Sequence, residues 1–241
     1  MKKAIIIGAS SGIGYEVARL LISQDWIVGI AARRIDKLLD LKNTAPERVY
    51  TAQIDVTNEE AEKSLMQLID CMGGIDLYLH AAGIGWKNPE LKEDIELKTM
   101  DTNAHGFTRM IGAAYRYFVN NGGGHIACIT SIAGTKGLGV APAYSATKAM
   151  QNTYIQALEQ LSTAKHHNIR FTDIRPGFVD TPLLDGTTNL PMLMSPEKVA
   201  YSIVKTINRH RHVCVIDHRW AIITFFWKLI PNWIWRRMKL S

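Results

Sequence analysis

The residues with the most evident chemical use are Tyr144 and Lys148, in the run Tyr144-Ser145-Ala146-Thr147-Lys148. Their i, i+4 spacing puts a phenol and an ammonium on one face of a helix, close enough to interact. A phenol titrates near pH 10, too high for ready proton exchange near neutrality, and a nearby cation lowers that value by favouring the phenolate. The pair reads as a proton-transfer group, although Tyr and Lys at this spacing are also common on helix surfaces. Two other polar residues suit the same chemistry. Ser131, at the end of a strand-like run, could hydrogen-bond a substrate oxygen as charge develops on it, and Asn103 could hold a water that joins the lysine to bulk solvent.

A second constellation is Gly8-Ala9-Ser10-Ser11-Gly12-Ile13-Gly14, between a short apolar run and a helical pattern. Glycines there permit a tight turn and close approach of backbone to a pyrophosphate, and the helix N-terminus adds free N–H groups and a positive dipole end. The spacing G-x-x-x-G-x-G is one variant away from the usual dinucleotide fingerprint. The nucleotide is selected about 20 residues further on, where a carboxylate would accept from a free ribose 2′-hydroxyl. This chain instead reads Ala31-Ala32-Arg33-Arg34. A guanidinium suits a 2′-phosphate, so NADP(H) is expected over NAD, unless either arginine merely caps the next helix or lies in solvent. Asp55-Val56, after the third strand, either sits beside the adenine or starts a helix ahead of Thr57.

These groups need a scaffold, and the pattern supplies one. Apolar runs at 4–7, 26–32, 48–54, 75–81, 125–131, 169–176 and 212–217 alternate with helical spacing at 15–24, 35–43, 58–72, 95–120, 144–165 and 196–209. Strands apolar on both faces, in alternation with helices, predict an α/β fold: a doubly wound, Rossmann-type, seven-stranded parallel sheet with helices on both faces. Residues 1–217 are expected to form a single dinucleotide-binding and catalytic domain. Two aperiodic stretches, 83–94 and 177–195, follow strands and should border the ligand crevice. The second, with Gly177, Pro182, Gly186 and Pro191, reads as a substrate lid. Apolar residues in the two (Trp86, Leu91, Phe178, Leu183, Leu184, Leu190, Met192, Leu193, Met194) suit an apolar ligand or the core.

Composition narrows the functional classes. The chain has 241 residues, 47% hydrophobic and 21% charged, as an ordinary globular protein does. Cys71, Cys128 and Cys214 lack paired-ligand spacing, so no metal site is expected, and they read as buried free thiols of a reducing compartment. The N-terminus reaches Gly8 after only four apolar residues, too few for a signal-peptide core, which predicts a cytoplasmic protein. Of the 28 Lys and Arg residues eight lie in 205–241 against Asp217 alone, and the rest of the chain is near neutral. That distribution argues against nucleic-acid binding by the main domain.

Taken together, these residues resemble the short-chain dehydrogenase/reductase family in its single-domain form, over roughly residues 4–217. The motifs come in order: GASSGIG at 8–14, Asp55, an alanine-glycine turn at 81–83, Asn103, Ser131, YSATK at 144–148, and Pro176-Gly177 followed by Thr181. The resemblance implies Tyr144 as general acid/base, Lys148 on the nicotinamide ribose and the tyrosine pKa, Ser131 on the substrate carbonyl and Asn103 in a proton relay. It implies cofactor contacts from Ala82, Gly83, Pro176, Gly177, Val179 and Thr181, the last on the nicotinamide carboxamide, with Arg33 at the position that reads the 2′-phosphate. The implied activity is NADP(H)-dependent interconversion of a ketone or aldehyde and an alcohol. A non-redox epimerase or dehydratase, or a catalytically silent NADP-binding sensor or scaffold, are the alternatives. A homodimer or homotetramer is implied as well, pairing the helices near 95–120 and 144–165. One departure stands out: His80 and Ala81 occupy the places of two asparagines usual in the family after the fourth strand. A histidine satisfied inside the strand is the favoured reading, over a pH-dependent role.

The segment 218–241 carries four of the six tryptophans and a closing Arg236-Arg237-x-Lys239. Its apolar stretch, 220–230, includes Lys228 and stops at Pro231, too short to span a bilayer. Trp with Arg and Lys suits a headgroup boundary, so residues 219–239 read either as an in-plane helix at the inner face of a membrane or as packing on a partner subunit or the lid.

Overall fold

Seven short runs of mostly buried residues become strands in the computed structural model, which describes residues 1–184 and 189–239. They are β1 (Lys3–Ile7), β2 (Ile27–Ala32), β3 (Val49–Gln53), β4 (Leu77–His80), β5 (Gly124–Ile129), β6 (Ile169–Pro176) and β7 (Val213–Ile216). All pair in parallel in the order β3-β2-β1-β4-β5-β6-β7. The order reverses between β1 and β4, where Ile7 lies opposite both Ala31 and His80. A crevice opens at such a switch point, beyond the carboxyl ends of the strands.

Alternation along the strands explains why helices cover both faces. Ala4 and Ile6 join a core with Val17 and Leu21 of α1 (Gly12–Ser23), Leu38 of α2 (Asp36–Thr44) and Ile203 of α7 (Pro196–Asn208). Ile5 and Ile7 point the other way, to Leu65 of α3 (Ala61–Met72), Phe107 and Met110 of α5 (Phe107–Asn120) and Ile155 of α6 (Pro142–Ala164). The doubly wound seven-stranded sheet is thus as the pattern predicts.

Departures from the pattern have local causes. The helix expected over 95–120 is α4 (Glu93–Met100) and α5 joined by a π turn at Asp101–Gly106, whose wider backbone turns Asn103 inward. Cys71 is exposed rather than buried, because it falls on the outer face of α3; Cys128 is buried and Cys214 partly so. In the expected lid, Val179 bridges Met194, and Pro182–Leu184 form a 3-10 turn; Gly186 lies outside the described residues. Trp86, Leu91 and Leu183 are exposed, whereas Met194 packs on the core.

The C-terminal segment forms α8 (His218–Leu229) and α9 (Asn232–Trp235). Asp217 caps α8 by accepting from the Arg219 N–H at 3.0 Å. Three tryptophans turn inward in a chain of edge-on rings: Phe178 to Trp220 at 5.5 Å, Trp220 to Trp227 at 6.4 Å, Trp227 to Trp235 at 5.5 Å. Gly177 leaves room for the Trp220 indole, which a β-carbon would strike. Trp235 Nε1 donates to the Gly137 carbonyl at 2.8 Å, and Lys136 Nζ donates to the Ile230 carbonyl and Asn232 Oδ1 at 3.0 and 2.9 Å. The segment therefore packs on its own chain, against the start of the stretch after β6 and the loop after β5. Among the described residues no helix is long and apolar enough to cross a membrane.

Candidate active site

The glycine turn sits where β1 meets the crevice. Gly8 has φ +93°, and a β-carbon there would fall 2.5 Å from the Ala82 nitrogen. A β-carbon on Gly14 would overlap the Gly8 carbonyl oxygen. Only hydrogen fits at either place, so the strand ends of β1 and β4 and the start of α1 close on one another. Ser11 precedes α1 without capping it through its side chain, and no acidic residue occupies the first turn. The N–H groups and positive dipole end at Gly12, Ile13 and Gly14 are thus available to an anion, which fits a pyrophosphate. Thr181 comes to this turn from the stretch after β6, its methyl 3.0 Å from where a Gly12 β-carbon would stand.

Around that turn the other expected cofactor residues divide. Arg33 and Arg34 are exposed beyond β2, and Gln53 Nε2 pins the Arg33 carbonyl at 2.9 Å. Neither guanidinium bonds another side chain among the described residues, which suits a 2′-phosphate at this rim. Asp55 turns back on its own chain, Oδ1 accepting from the Thr57 N–H and hydroxyl at 3.0 and 2.8 Å, and α3 starts only at Ala61. Val56 and Val179 bury their side chains in the two cores, leaving main-chain atoms for any ligand. Pro176 is buried, and Gly177 donates its N–H to the Ile216 carbonyl at 3.0 Å.

At the opposite wall, α6 carries Tyr144 and Lys148. Its first turn is held by Pro142 and by Glu96 of α4, whose Oε2 accepts from the Ala143 N–H at 3.1 Å while Oε1 accepts from Asn88 at 2.8 Å. The Tyr144 ring packs on Gly85, whose β-carbon would fall 2.5 Å from the ring. Ser131 caps the short 3-10 turn after β5, its Oγ accepting from the Ala133 N–H at 3.1 Å. Burial raises the phenol above its ordinary value, and the Ser131 hydroxyl opposes that rise. The expectation of a phenol lowered by the neighbouring cation thus differs from this geometry: the ammonium stands 5.7 Å from the ring centroid and desolvation dominates.

Lys148 is 4% exposed, and burial lowers it to about 8 against the opposing pull of Asp173 and Cys128. Its Nζ donates to Gln151 Oε1 at 3.0 Å and to the Ile129 carbonyl at 3.3 Å. Asp173 is itself engaged, accepting from Arg175 at 2.8 and 2.6 Å and from Thr130 at 2.5 Å. Asn103 is fully buried with its amide committed: Oδ1 accepts from the Ile84 N–H at 2.9 Å, and Nδ2 donates to the Ile84 carbonyl at 2.6 Å and Thr147 Oγ1 at 3.3 Å. It clamps the loop after β4, beside Gly83, and its own carbonyl accepts from Gln151 Nε2 at 2.8 Å. His80 is buried, with Nδ1 at 3.0 Å from the Tyr78 hydroxyl and Nε2 unpartnered among the described residues. Burial, then the Lys148 charge, lower it to about 3, so it is neutral at physiological pH and the pH-dependent role is not supported.

Ile84, Gly85, Glu96 and Gln151 escaped the sequence reading. Gln151 had a signal: a polar residue three positions after Lys148, on the inward stripe of an amphipathic helix.

The chain matches the family model described as short chain dehydrogenase over residues 2–189. It is 32% identical over 217 residues to an uncharacterised oxidoreductase of Staphylococcus haemolyticus, covering 88% of this chain and 93% of that one. It superposes on an alcohol dehydrogenase of the archaeon Thermococcus sibiricus complexed with 5-hydroxy-NADP, with TM-score 0.78, 22% identity and coverage of 90% and 96%. A 3-ketoacyl-(acyl-carrier-protein) reductase of Brucella melitensis complexed with NADH gives TM-score 0.80, 22% identity and the same coverage.

The depressed Lys148 ammonium ties stability to pH. Charging it costs the folded state, so its penalty is full below about 8 and fades as pH rises toward the unfolded value near 10.5. Urea unfolding of wild type and Lys148→Met should show wild type gaining about 2 kcal/mol relative to the variant between pH 7 and 9.5. A pH-independent difference would contradict the assignment.

Proposed function

Because the chain belongs to the short-chain dehydrogenase/reductase family of oxidoreductases, we propose that it interconverts a ketone or aldehyde and an alcohol with NADP(H). One observation carries this reading: the Tyr144 phenol neighbours the Ser131 hydroxyl, with the Lys148 ammonium 5.7 Å from its ring centroid, beside a glycine turn that suits a pyrophosphate. A bound nicotinamide supplies the hydride donor or acceptor. Ser131 donates to the carbonyl oxygen and holds the substrate. Tyr144 gives its proton to that oxygen on reduction and takes it back on oxidation. Lys148 would hold the ribose, while the Ile84 clamp of Asn103 fixes the loop against which Tyr144 packs. Gly8, Gly12, Gly14, Ser10, Ser11 and Ile13 would hold the pyrophosphate, and Asp55, Val56, Ala82 and Gly83 would flank the rest of the nucleotide. Pro176, Gly177, Val179 and Thr181 would line the nicotinamide end of the site. Arg33, with Arg34 beside it, would select the 2′-phosphate.

Oxidation of NADPH and NADH at 340 nm against a panel of carbonyls tests these roles. Tyr144→Phe should lose at least about 100-fold in kcat. Arg33→Ala should raise KM for NADPH roughly tenfold or more and leave NADH unaffected. Undiminished turnover in the first variant, or unchanged NADPH preference in the second, refutes the corresponding role.

We also propose that the outer face of α8 and α9 rests on an anionic bilayer surface, which favours an apolar substrate. Ile222, Phe225, Phe226, Leu229 and Trp233 are exposed there, with Lys228, Arg236, Arg237 and Lys239 and no acidic residue between 218 and 239. Buried apolar area and cationic attraction add in such a surface. Pelleting with phosphatidylglycerol vesicles should fall sharply in a Phe225→Ser/Phe226→Ser/Trp233→Ser variant, whose inward tryptophans are intact. Equal pelleting overturns the proposal. So does a concentration-dependent dimer that the same variant abolishes, which assigns the face to a second copy.

A further inference from the structure

We propose that Gln151 is a positioning residue for the candidate active site, its side-chain amide forming a fixed bridge from the Lys148 ammonium to the main chain of Asn103. The proposal rests on the reading of Lys148 as the site's cation. Gln151 is fully buried, one helical turn beyond Lys148 on α6. Its Oε1 accepts from Lys148 Nζ at 3.0 Å and its Nε2 donates to the Asn103 carbonyl at 2.8 Å. Only this orientation of the amide is compatible with both neighbours. The reversed one would set two N–H donors against an ammonium and oxygen against oxygen.

The bridge occupies the link that the sequence alone assigned to a water held by Asn103. A water there would exchange with solvent, whereas a buried amide is held by its helix and keeps one geometry. With the Ile129 carbonyl at 3.3 Å, Gln151 takes two of the three ammonium N–H groups. The third is left for the side on which Gly83 lines the crevice, a β-carbon there standing 3.6 Å from Nζ. A nearby acceptor also favours the charged form of a lysine that burial opposes. The same amide braces the π turn from outside, so one side chain sets both the direction of the ammonium and the position of the Asn103 clamp on Ile84.

The other ionisable groups facing Lys148 come from four elements: His80 on β4, Cys128 on β5, Asp173 on β6 and Tyr144 on α6 itself. His80 is lowered to about 3, Cys128 and Tyr144 are raised by burial, and Asp173 is bound by Arg175 and Thr130. Lys148 is therefore the group whose titration reports on the bridge.

The test is NMR titration of the full-length chain labelled with 13C-lysine, the Lys148 Cε signal being assigned by its loss in Lys148→Met. Gln151→Met keeps the volume and removes the acceptor, so the Lys148 midpoint should fall by roughly one pH unit. Gln151→Glu places a carboxylate at the same point, so the midpoint should rise by at least as much. A residue that merely fills the core would change melting temperature and leave the midpoint in place. Midpoints unmoved, or moved in the same direction by both variants, overturn the proposal. If Gln151→Met does not fold, the direction of the Gln151→Glu shift decides. The titration needs neither cofactor nor substrate, so a failure of the oxidoreductase reading would appear separately, as NADPH that no carbonyl consumes.

Discussion

A charged amine buried to 4% exposure is the constraint around which the rest of the site is organised. Lys148 cannot keep its proton there without hydrogen-bond acceptors and a counter-charge, and these come from three elements. The Ile129 carbonyl ends β5, Gln151 stands one turn further along α6, and Asp173 lies on β6 with Arg175 and Thr130 holding its carboxylate. Meeting that demand fixes the height of α6 over the strand ends. The same helix is fixed at its start by Glu96, which ties α6 to α4, and in its second turn by Thr147, which meets Asn103. Tyr144 sits between these anchors, with its ring against Gly85. The phenol is positioned by what the lysine and its neighbours require.

The fold was legible because parallel strands buried on both faces leave an unmistakable alternation with amphipathic helices, and Ile5, Ile6 and Ile7 read as sheet interior without further help. The glycine turn was legible for the same kind of reason: Gly8 and Gly14 are forced by contacts that exclude a β-carbon. Other features depend on distant pairings and could not be read locally. The π turn at Asp101–Gly106 has no composition of its own, and it is fastened by Ile84 and Gln151, 19 residues before and 48 residues after Asn103. Burial of the Tyr144 phenol and the packing of Gly85 on its ring come from tertiary contacts that no spacing rule supplies. The satisfied strand histidine expected at position 80 is met at Nδ1, beside the Tyr78 hydroxyl, but not at Nε2, which is unpartnered among the described residues.

The aromatic C-terminal segment joins the same logic. Its inward tryptophans pack on Phe178 just after β6 and on the loop that follows Ser131, so the segment braces two walls of the crevice. Its outward face is apolar and cationic. One short segment thereby carries both the packing that braces the crevice and the face proposed to rest on a membrane surface.

The most direct test follows a deuterium atom. With NADPH deuterated at C4 of the nicotinamide and a ketone that the protein turns over, mass spectrometry of the product alcohol should find one deuterium on the carbinol carbon for each NADPH oxidised, from one face of the nicotinamide. A product formed while NADPH is left unconsumed, or an alcohol carrying no deuterium from either face, would contradict hydride transfer at Tyr144 and Lys148.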